Sequence, residues 1–297
     1  MIGNDMQTIL ITGINGFLGS KLAIKLSESF KIIGLEQKKT NLFRIAQTNF
    51  KIYSVSENSL ESIFEDNQID LIIHAATIYG HDREKSSDII QTNILLPVRL
   101  IELAQSFKVT AFLNIDSFFN HPENKTNYLS EYSLSKKQCL EWLMNLESEL
   151  KVINLKIFHM YGPGDNKNKF VTWIIDQLLE NKPVINLTPG KQLRDFIYID
   201  DVISAFHTVL LNLDSIDERF ISVDVGSGVS VSIEAFVTIA KDLTNSNSVL
   251  KFGALDYRDN EIMSSKANSS FLKGLNWNPQ HTIKQGIMNI IKHTTNG

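Results

Sequence analysis

The chain has 297 residues, 43% of them hydrophobic and 21% charged, with a formal net charge of −4. That is enough apolar residue for a large core in one big or two coupled domains. The absence of any run of like charges argues against a basic nucleic-acid face. Cys139 is the single cysteine, so no intrachain disulfide forms, and its surroundings lack metal-ligand spacing. No metal is expected there, only a buried thiol. No stretch reaches the apolar length of a membrane span, and residues 1–7 lack a basic-then-apolar signal. The expectation is a cytoplasmic enzyme with no membrane or nucleic-acid partner.

In chain order, short apolar runs at 8–12, 31–35, 51–55, 70–75, 111–115 and 152–158 predict strands. Between them, segments 19–27, 59–66, 93–105 and 131–146 carry apolar residues three and four apart and predict helices. This alternation predicts an α/β fold: a Rossmann-type doubly wound parallel sheet with helices on both faces. The run Asp70-Leu-Ile-Ile-His-Ala-Ala is continuous rather than alternating, as a strand buried on both faces requires.

After Tyr161-Gly162-Pro163-Gly164 the character changes. Helices at 170–180, 201–211, 232–243 and 282–291 interleave with short strands and turn residues. Residues 1–160 therefore read as a dinucleotide-binding domain, with about 200–225 returning to its sheet. Residues 161–297 read mainly as a smaller, mixed α/β substrate lobe.

Gly13, Gly16 and Gly19 stand three residues apart between the first strand and the first helix. A tight turn, close backbone approach to a pyrophosphate and close helix–strand packing each need a missing Cβ. The helix begins near Phe17 and aims its unpaired N–H groups at phosphate. About twenty residues on, Glu36 ends the second strand, where a carboxylate can accept both adenosine ribose hydroxyls. It would repel a 2′-phosphate, whereas Lys38 and Lys39 would attract one. NAD(H) and NADP(H) both stay open, with NAD(H) slightly favoured.

Tyr132 and Lys136 lie one helical turn apart, and of seven tyrosines Tyr132 alone has a lysine at that distance. An ammonium about 4 Å from a phenol favours phenolate by roughly 4 kcal/mol before desolvation, at an effective dielectric near 20. That brings a phenol, ordinarily near pH 10, toward general acid–base work. Ser117, ending the fifth strand, would hold the reacting oxygen. The expectation is a phenol facing the nicotinamide, with room for a hexose beside it.

These residues resemble the extended short-chain dehydrogenase/reductases, the family of NAD-dependent sugar epimerases and dehydratases. The resemblance runs nearly the whole length: the glycine turn, His74-Ala75-Ala76, Asn93, the Tyr132/Lys136 pair, Tyr161-Gly162-Pro163-Gly164, Arg194-Asp195-Phe196 with Asp200-Asp201, and Leu275-Asn276-Trp277-Asn278-Pro279. It implies that Asn15, Phe17, Leu18, Ser54, Val55, Ala75, Ala76 and Thr77 line the cofactor with the glycines. Lys136 would also bind the nicotinamide ribose, and Asn93 would pack near the active site. Tyr79, Ser117, Phe118, His159, Arg194, Arg258 and Glu261 are the implied substrate residues, the two arginines on a diphosphate and Glu261 on a ribose. Helices 93–105 and 131–146 resemble those that pair into a four-helix homodimer interface.

Departures from the family pattern narrow the chemistry. Phe118-Phe119 follows Ser117 where dehydratases carry an acidic pair, and a phenyl ring exchanges no proton. Asp116 is expected to point away. His121 replaces a tyrosine, His159 an asparagine and Ser54 an aspartate. The runs 114–120 and 132–138 are similar to those of CDP-sugar 4-ketoreductases. The expected activity is hydride reduction at C4 of a nucleotide-linked 4-keto-6-deoxy sugar, with Tyr132 as general acid. An epimerase with retained NAD is the alternative, and a non-catalytic dinucleotide sensor a third.

Overall fold

The computed structural model describes residues 6–80, 84–120, 129–146 and 149–296. It divides into two units: the first takes in residues up to 120, 129–156 and 210–223, the second 157–209 and 224 onward. His121 lies outside the described residues.

The first unit begins with β1 (Thr8–Thr12), α1 (Phe17–Leu26), β2 (Lys31–Glu36), β3 (Lys51–Ser54), α2 (Leu60–Glu65) and β4 (Leu71–His74). It continues through α3 (Ser86–Ile90), α4 (Leu96–Ser106), β5 (Ala111–Ser117), α5 (Ser130–Asn145) and β6 (Lys151–Ile157). With β7 (His159–Tyr161), α6 (Phe170–Leu179), β8 (Val184–Leu187), β9 (Leu193–Tyr198) and α7 (Ile199–Leu211) the chain passes through the second unit. The remaining elements are β10 (Phe220–Val225), β11 (Ser230–Ser232), α8 (Ile233–Thr244), β12 (Val249–Phe252), α9 (Ser270–Gly274) and α10 (Ile283–Asn296).

Seven strands form one sheet in the order β10-β6-β5-β4-β1-β2-β3. From β1 the chain winds outward through β2 and β3, then crosses back to lay β4 on the other side of β1. The order therefore reverses between β1 and β4, where α/β sheets open a ligand crevice at their carboxyl ends. Register puts Thr12 opposite both Leu35 and His74, with His74 in turn opposite Asn114, so these strand ends share one edge. Ile9, Leu10, Ile11, Leu71, Ile72 and Ile73 are all fully buried, the double-faced burial that a continuous apolar run predicts. Residues 220–225 join the sheet at its edge, beside β6.

The predicted helix at 93–105 starts earlier, because α3 runs into α4 through a widened π-type turn, Gln91–Leu95. Pro97 has no N–H for the Asn93 carbonyl four residues back, and its ring crowds that oxygen. A turn widened by one residue relieves both problems, and such turns collect at functional sites. Cys139 is buried, as its context suggested.

In the second unit, β11 pairs antiparallel and β7 parallel with β9, while β8 and β12 form a parallel pair. Among the described residues no helix is long and apolar enough to cross a membrane.

Candidate active site

The glycine loop is folded on backbone alone. Gly13 has φ +63, and a Cβ there would stand 2.7 Å from Ala76 Cα; at Gly19 it would stand 2.2 Å from the Gly13 carbonyl oxygen. Gly16 precedes α1 without a side-chain cap, and the first turn carries no acidic residue. The positive end of the α1 dipole is thus uncompensated by any acidic side chain in its own first turn, an arrangement that favours an anion there.

Glu36 Oε1 accepts the Asn15 N–H at 2.5 Å, and burial raises the carboxyl above its ordinary range. Asn15 also ties the next loop down: its amide donates to the Asn41 carbonyl, and its Oδ1 accepts the Arg44 N–H, each at 3.0 Å. Ser54 points inward. Its buried hydroxyl donates to the Gln37 carbonyl at 3.0 Å, while Val55 stands exposed beside it. The residues present fit a dinucleotide, whose pyrophosphate the α1 turn would hold and whose adenosine ribose Glu36 would take.

After β4, Thr12 Oγ1 accepts the Ala76 N–H at 3.1 Å and pairs with His74 Nδ1 at 2.9 Å. Asn93, from the widened turn, accepts the Ile78 N–H and donates to the Ile78 carbonyl, both at 2.8 Å, and donates to Ser135 Oγ at 2.9 Å. Thr77 donates to the same Asn93 Oδ1 at 3.3 Å. Ser135 donates to the Tyr132 carbonyl at 2.8 Å. One buried amide therefore fixes the 75–78 loop against the helix that bears Tyr132. Sequence reasoning placed Asn93 nearby but missed Thr12 and Ser135.

Burial also holds the His74 imidazole neutral, pushing it down to about 3 with help from the Lys136 charge. Between that value and the unfolded 6.5, only the unfolded chain binds the proton, so stability falls as pH falls through this window. From pH 7 to pH 5 the loss from His74 is about 2 kcal/mol. In urea unfolding at the two pH values, His74→Asn should shrink the wild-type drop by that amount; an equal drop overturns the assignment.

The structure brings Tyr132, Lys136 and Ser117 together. The Ser117 and Tyr79 side chains stand beside the Tyr132 hydroxyl and act on its ionisation. Lys136 Nζ lies 5.9 Å from the Tyr132 ring centre and donates to the Ile115 carbonyl at 2.7 Å. The expected gain in phenol acidity does not occur here. Burial pushes Tyr132 well above its ordinary range, Tyr79 and Asp116 push the same way, and the ammonium faces a carbonyl instead. Nor is there open space over the phenol: Tyr132 is only 4% exposed, with the Tyr79 ring stacked 4.7 Å away and Phe119 edge-on at 6.3 Å. Phe118 packs on Phe119 at 4.2 Å.

Asp116 does not simply turn aside; it is buried in a polar cluster with Ser117, Asn120 and Asn154. A polar Asn114 and Asn154 inside two apolar strand runs was the available signal.

In the second unit, Arg194 is engaged rather than open, pairing with Glu261 and donating to the Leu193 and Ile262 carbonyls. His159 Nε2 meets Ser265 Oγ at 3.1 Å, and burial keeps its ring neutral. Arg258 is exposed. Two further family-like segments act as clasps: Asp195 accepts the Ser227, Gly228 and Ala267 N–H groups, and Asp201 those of Gln280 and His281.

The model of the NAD dependent epimerase/dehydratase family matches residues 9–224. The chain belongs to this family. It is an NAD-dependent enzyme of the extended short-chain dehydrogenase/reductase type. It is 32% identical to the CDP-abequose synthase of Salmonella typhimurium over 96% of this chain and 98% of that one. It is 25% identical to the UDP-glucuronate 4-epimerase of Thermodesulfobacterium geofontis, covering 95% and 94%. Among solved structures, UDP-glucuronic acid 4-epimerase from Bacillus cereus, in complex with UDP-glucuronic acid and NAD, is similar with TM-score 0.81 at 22% identity, covering 98% and 99%.

Proposed function

We propose that this family member reduces the C4 ketone of a nucleotide-diphosphate-linked 4-keto-6-deoxy sugar, CDP-linked in the first instance. The observation that carries the reading is a buried phenol beside Ser117, with the Phe119 ring edge-on to it and Phe118 packed on Phe119. The nicotinamide, when bound, supplies the hydride for C4. Tyr132 gives its proton to the ketone oxygen; its burial keeps it protonated at neutral pH, the form a reductase needs. Ser117 Oγ orients that oxygen beside the phenol. Lys136 holds positive charge near the phenolate left behind and would bind the nicotinamide ribose.

The aromatic wall suits a C6 methyl better than a hydroxymethyl, whose hydroxyl would lose its water there. It also argues against dehydration, which needs a proton-exchanging pair beside Ser117. To reach the phenol, the sugar takes the place of the half-exposed Tyr79 ring. Arg194, Arg258 and Glu261 are the proposed diphosphate and ribose contacts, which requires Arg194 to give up part of its pairing.

An epimerase using the same three residues is the second reading, favoured by the epimerases among the relatives. One preparation separates the two. A reductase arrives without retained cofactor and consumes NADPH or NADH at 340 nm when given CDP-4-keto-6-deoxyglucose. An epimerase carries NAD through purification and interconverts C4 epimers with no net oxidation, the result that would overturn the reductase. Ile90, Leu95, Leu134 and Trp142 leave apolar side chains exposed on α3, α5 and the widened turn. They are the proposed homodimer surface, and sedimentation of the same preparation should give twice the chain mass.

A further inference from the structure

Buried strands are apolar for good reason, yet β5 carries Asn114 and Asp116, and adjacent β6 carries Asn154, all at most 2% exposed. They form one connected cluster. Asn114 Nδ2 donates to Asn154 Oδ1 at 2.7 Å; Asn154 Nδ2 donates to Asp116 Oδ2 at 2.9 Å and to Ser222 Oγ at 3.0 Å. The Ser117 N–H donates to Asp116 Oδ1 at 2.8 Å, and Asn120 Nδ2 donates to Oδ2 at 3.1 Å. The Ser117, Asn120 and Asn154 contacts all donate to the carboxyl and favour its ionised form, against the burial that raises it above the ordinary carboxylate range. An anion that deep requires a nearby positive charge.

Lys136 supplies it. Its ammonium donates to the carbonyl of Ile115, the residue before Asp116, and its own carbonyl accepts from the Asn120 amide that also reaches the carboxylate, at 3.3 Å. The other titratable groups around Lys136 are Tyr132 and Cys139 on α5 and His74 on β4. Cys139 is pushed up to about 11 and His74 down to about 3, so both are neutral at working pH. Tyr132 is faced by Tyr79 and Asp116.

We propose that Asp116 is a positioning residue for the reaction above: its carboxylate is the buried counter-charge of Lys136 and anchors Ser117, keeping both in register with the Tyr132 phenol. The inference rests on the proposed role of Tyr132, Lys136 and Ser117.

Asp116→Asn keeps size but removes charge, and turns one amide N–H toward the donors that surround it. Asp116→Asn/Asn154→Asp returns the charge to the cluster: the new amide at position 116 then donates to the new carboxylate at position 154, Ser222 donates in turn, and the Asn120 amide must turn to the position-116 oxygen that it already approaches at 3.4 Å. Two readouts are needed. Tyrosinate absorbance, taken as the difference between each protein and its Tyr132→Phe counterpart, follows the phenol without substrate. Turnover of the keto sugar against pH follows the pair at work.

With the neighbouring anion gone, the Asp116→Asn phenol should ionise at lower pH. Its kcat should fall about tenfold, the change that about 1.4 kcal/mol produces, with KM within twofold. Its alkaline limb should move to lower pH, as Lys136 without its counter-charge gives up its proton sooner. The double variant should bring back the limb and most of kcat. A single variant with lowered Tm but wild-type phenol titration and pH profile overturns the proposal, as does a double variant whose limb fails to return. If wild type turns over no keto sugar, the reductase reading fails, whereas the titration still reports Asp116.

Discussion

Tyr132→Phe should lower kcat by about 10²–10⁴-fold, the contribution of a positioned general acid, while KM and NADH binding change by no more than a few fold. The substitution removes one oxygen and little else. The ring keeps its stack on Tyr79 at 4.7 Å and its edge contact with Phe119 at 6.3 Å, so α5 has no reason to move. What disappears is the hydroxyl beside Ser117, and with it the proton for the ketone oxygen. Folding stability should drop by only about 1 kcal/mol, the usual net value of one buried hydrogen bond. Single-turnover absorbance at 340 nm isolates the chemical step, and fluorescence of bound NADH checks that the cofactor still docks. The wild-type phenol stays protonated through neutral pH because burial outweighs every opposing influence, so reduction should show no acid-side requirement to deprotonate it. Turnover by Tyr132→Phe at the wild-type rate would remove the phenol from the mechanism.

The sheet was legible because double-faced burial leaves an unmistakable trace: Ile9-Leu10-Ile11 and Leu71-Ile72-Ile73 have no polar residue to set a period. The glycine loop was legible for a related reason, since close backbone contacts forbid a Cβ and so force residue identity. Co-location of Tyr132, Lys136 and Ser117 followed from strand and helix order alone. Ammonium direction did not follow. Spacing puts Lys136 one turn from Tyr132, but whether Nζ faces the phenol or the Ile115 carbonyl depends on a strand twenty residues away in sequence. The cover over the phenol was hidden likewise, because Tyr79 belongs to a loop whose path Asn93 sets through the widened turn. Arg194 illustrates a third limit. An arginine in a family-like motif reads as a ligand for phosphate, and only its surroundings reveal that Glu261 and two carbonyls already hold it.

Gly19→Ala should abolish measurable NADH binding, weakening it by about 100-fold or more, and should destabilise the fold by about 1–3 kcal/mol, the usual range for overpacking. A Cβ at Gly19 would lie 2.2 Å from the Gly13 carbonyl oxygen and 3.0 Å from its carbonyl carbon. Neither atom is the far end of a flexible side chain, so α1 itself must back away from β1. That movement carries off the α1 N-terminus proposed to hold the pyrophosphate. The neighbouring substitution grades the effect: at Gly16 the added carbon would stand 3.0 Å from the same oxygen, a contact that a few tenths of an ångström relieve, so Gly16→Ala should bind more weakly than wild type but far better than Gly19→Ala. Gly274→Ala, with nothing within 4 Å, serves as the unaffected control. NADH fluorescence titration and thermal unfolding on the three variants read both quantities. The ordering carries more than the magnitudes: if Gly19→Ala binds as Gly274→Ala does, α1 can slide without loss, and the backbone loop is not what holds the cofactor.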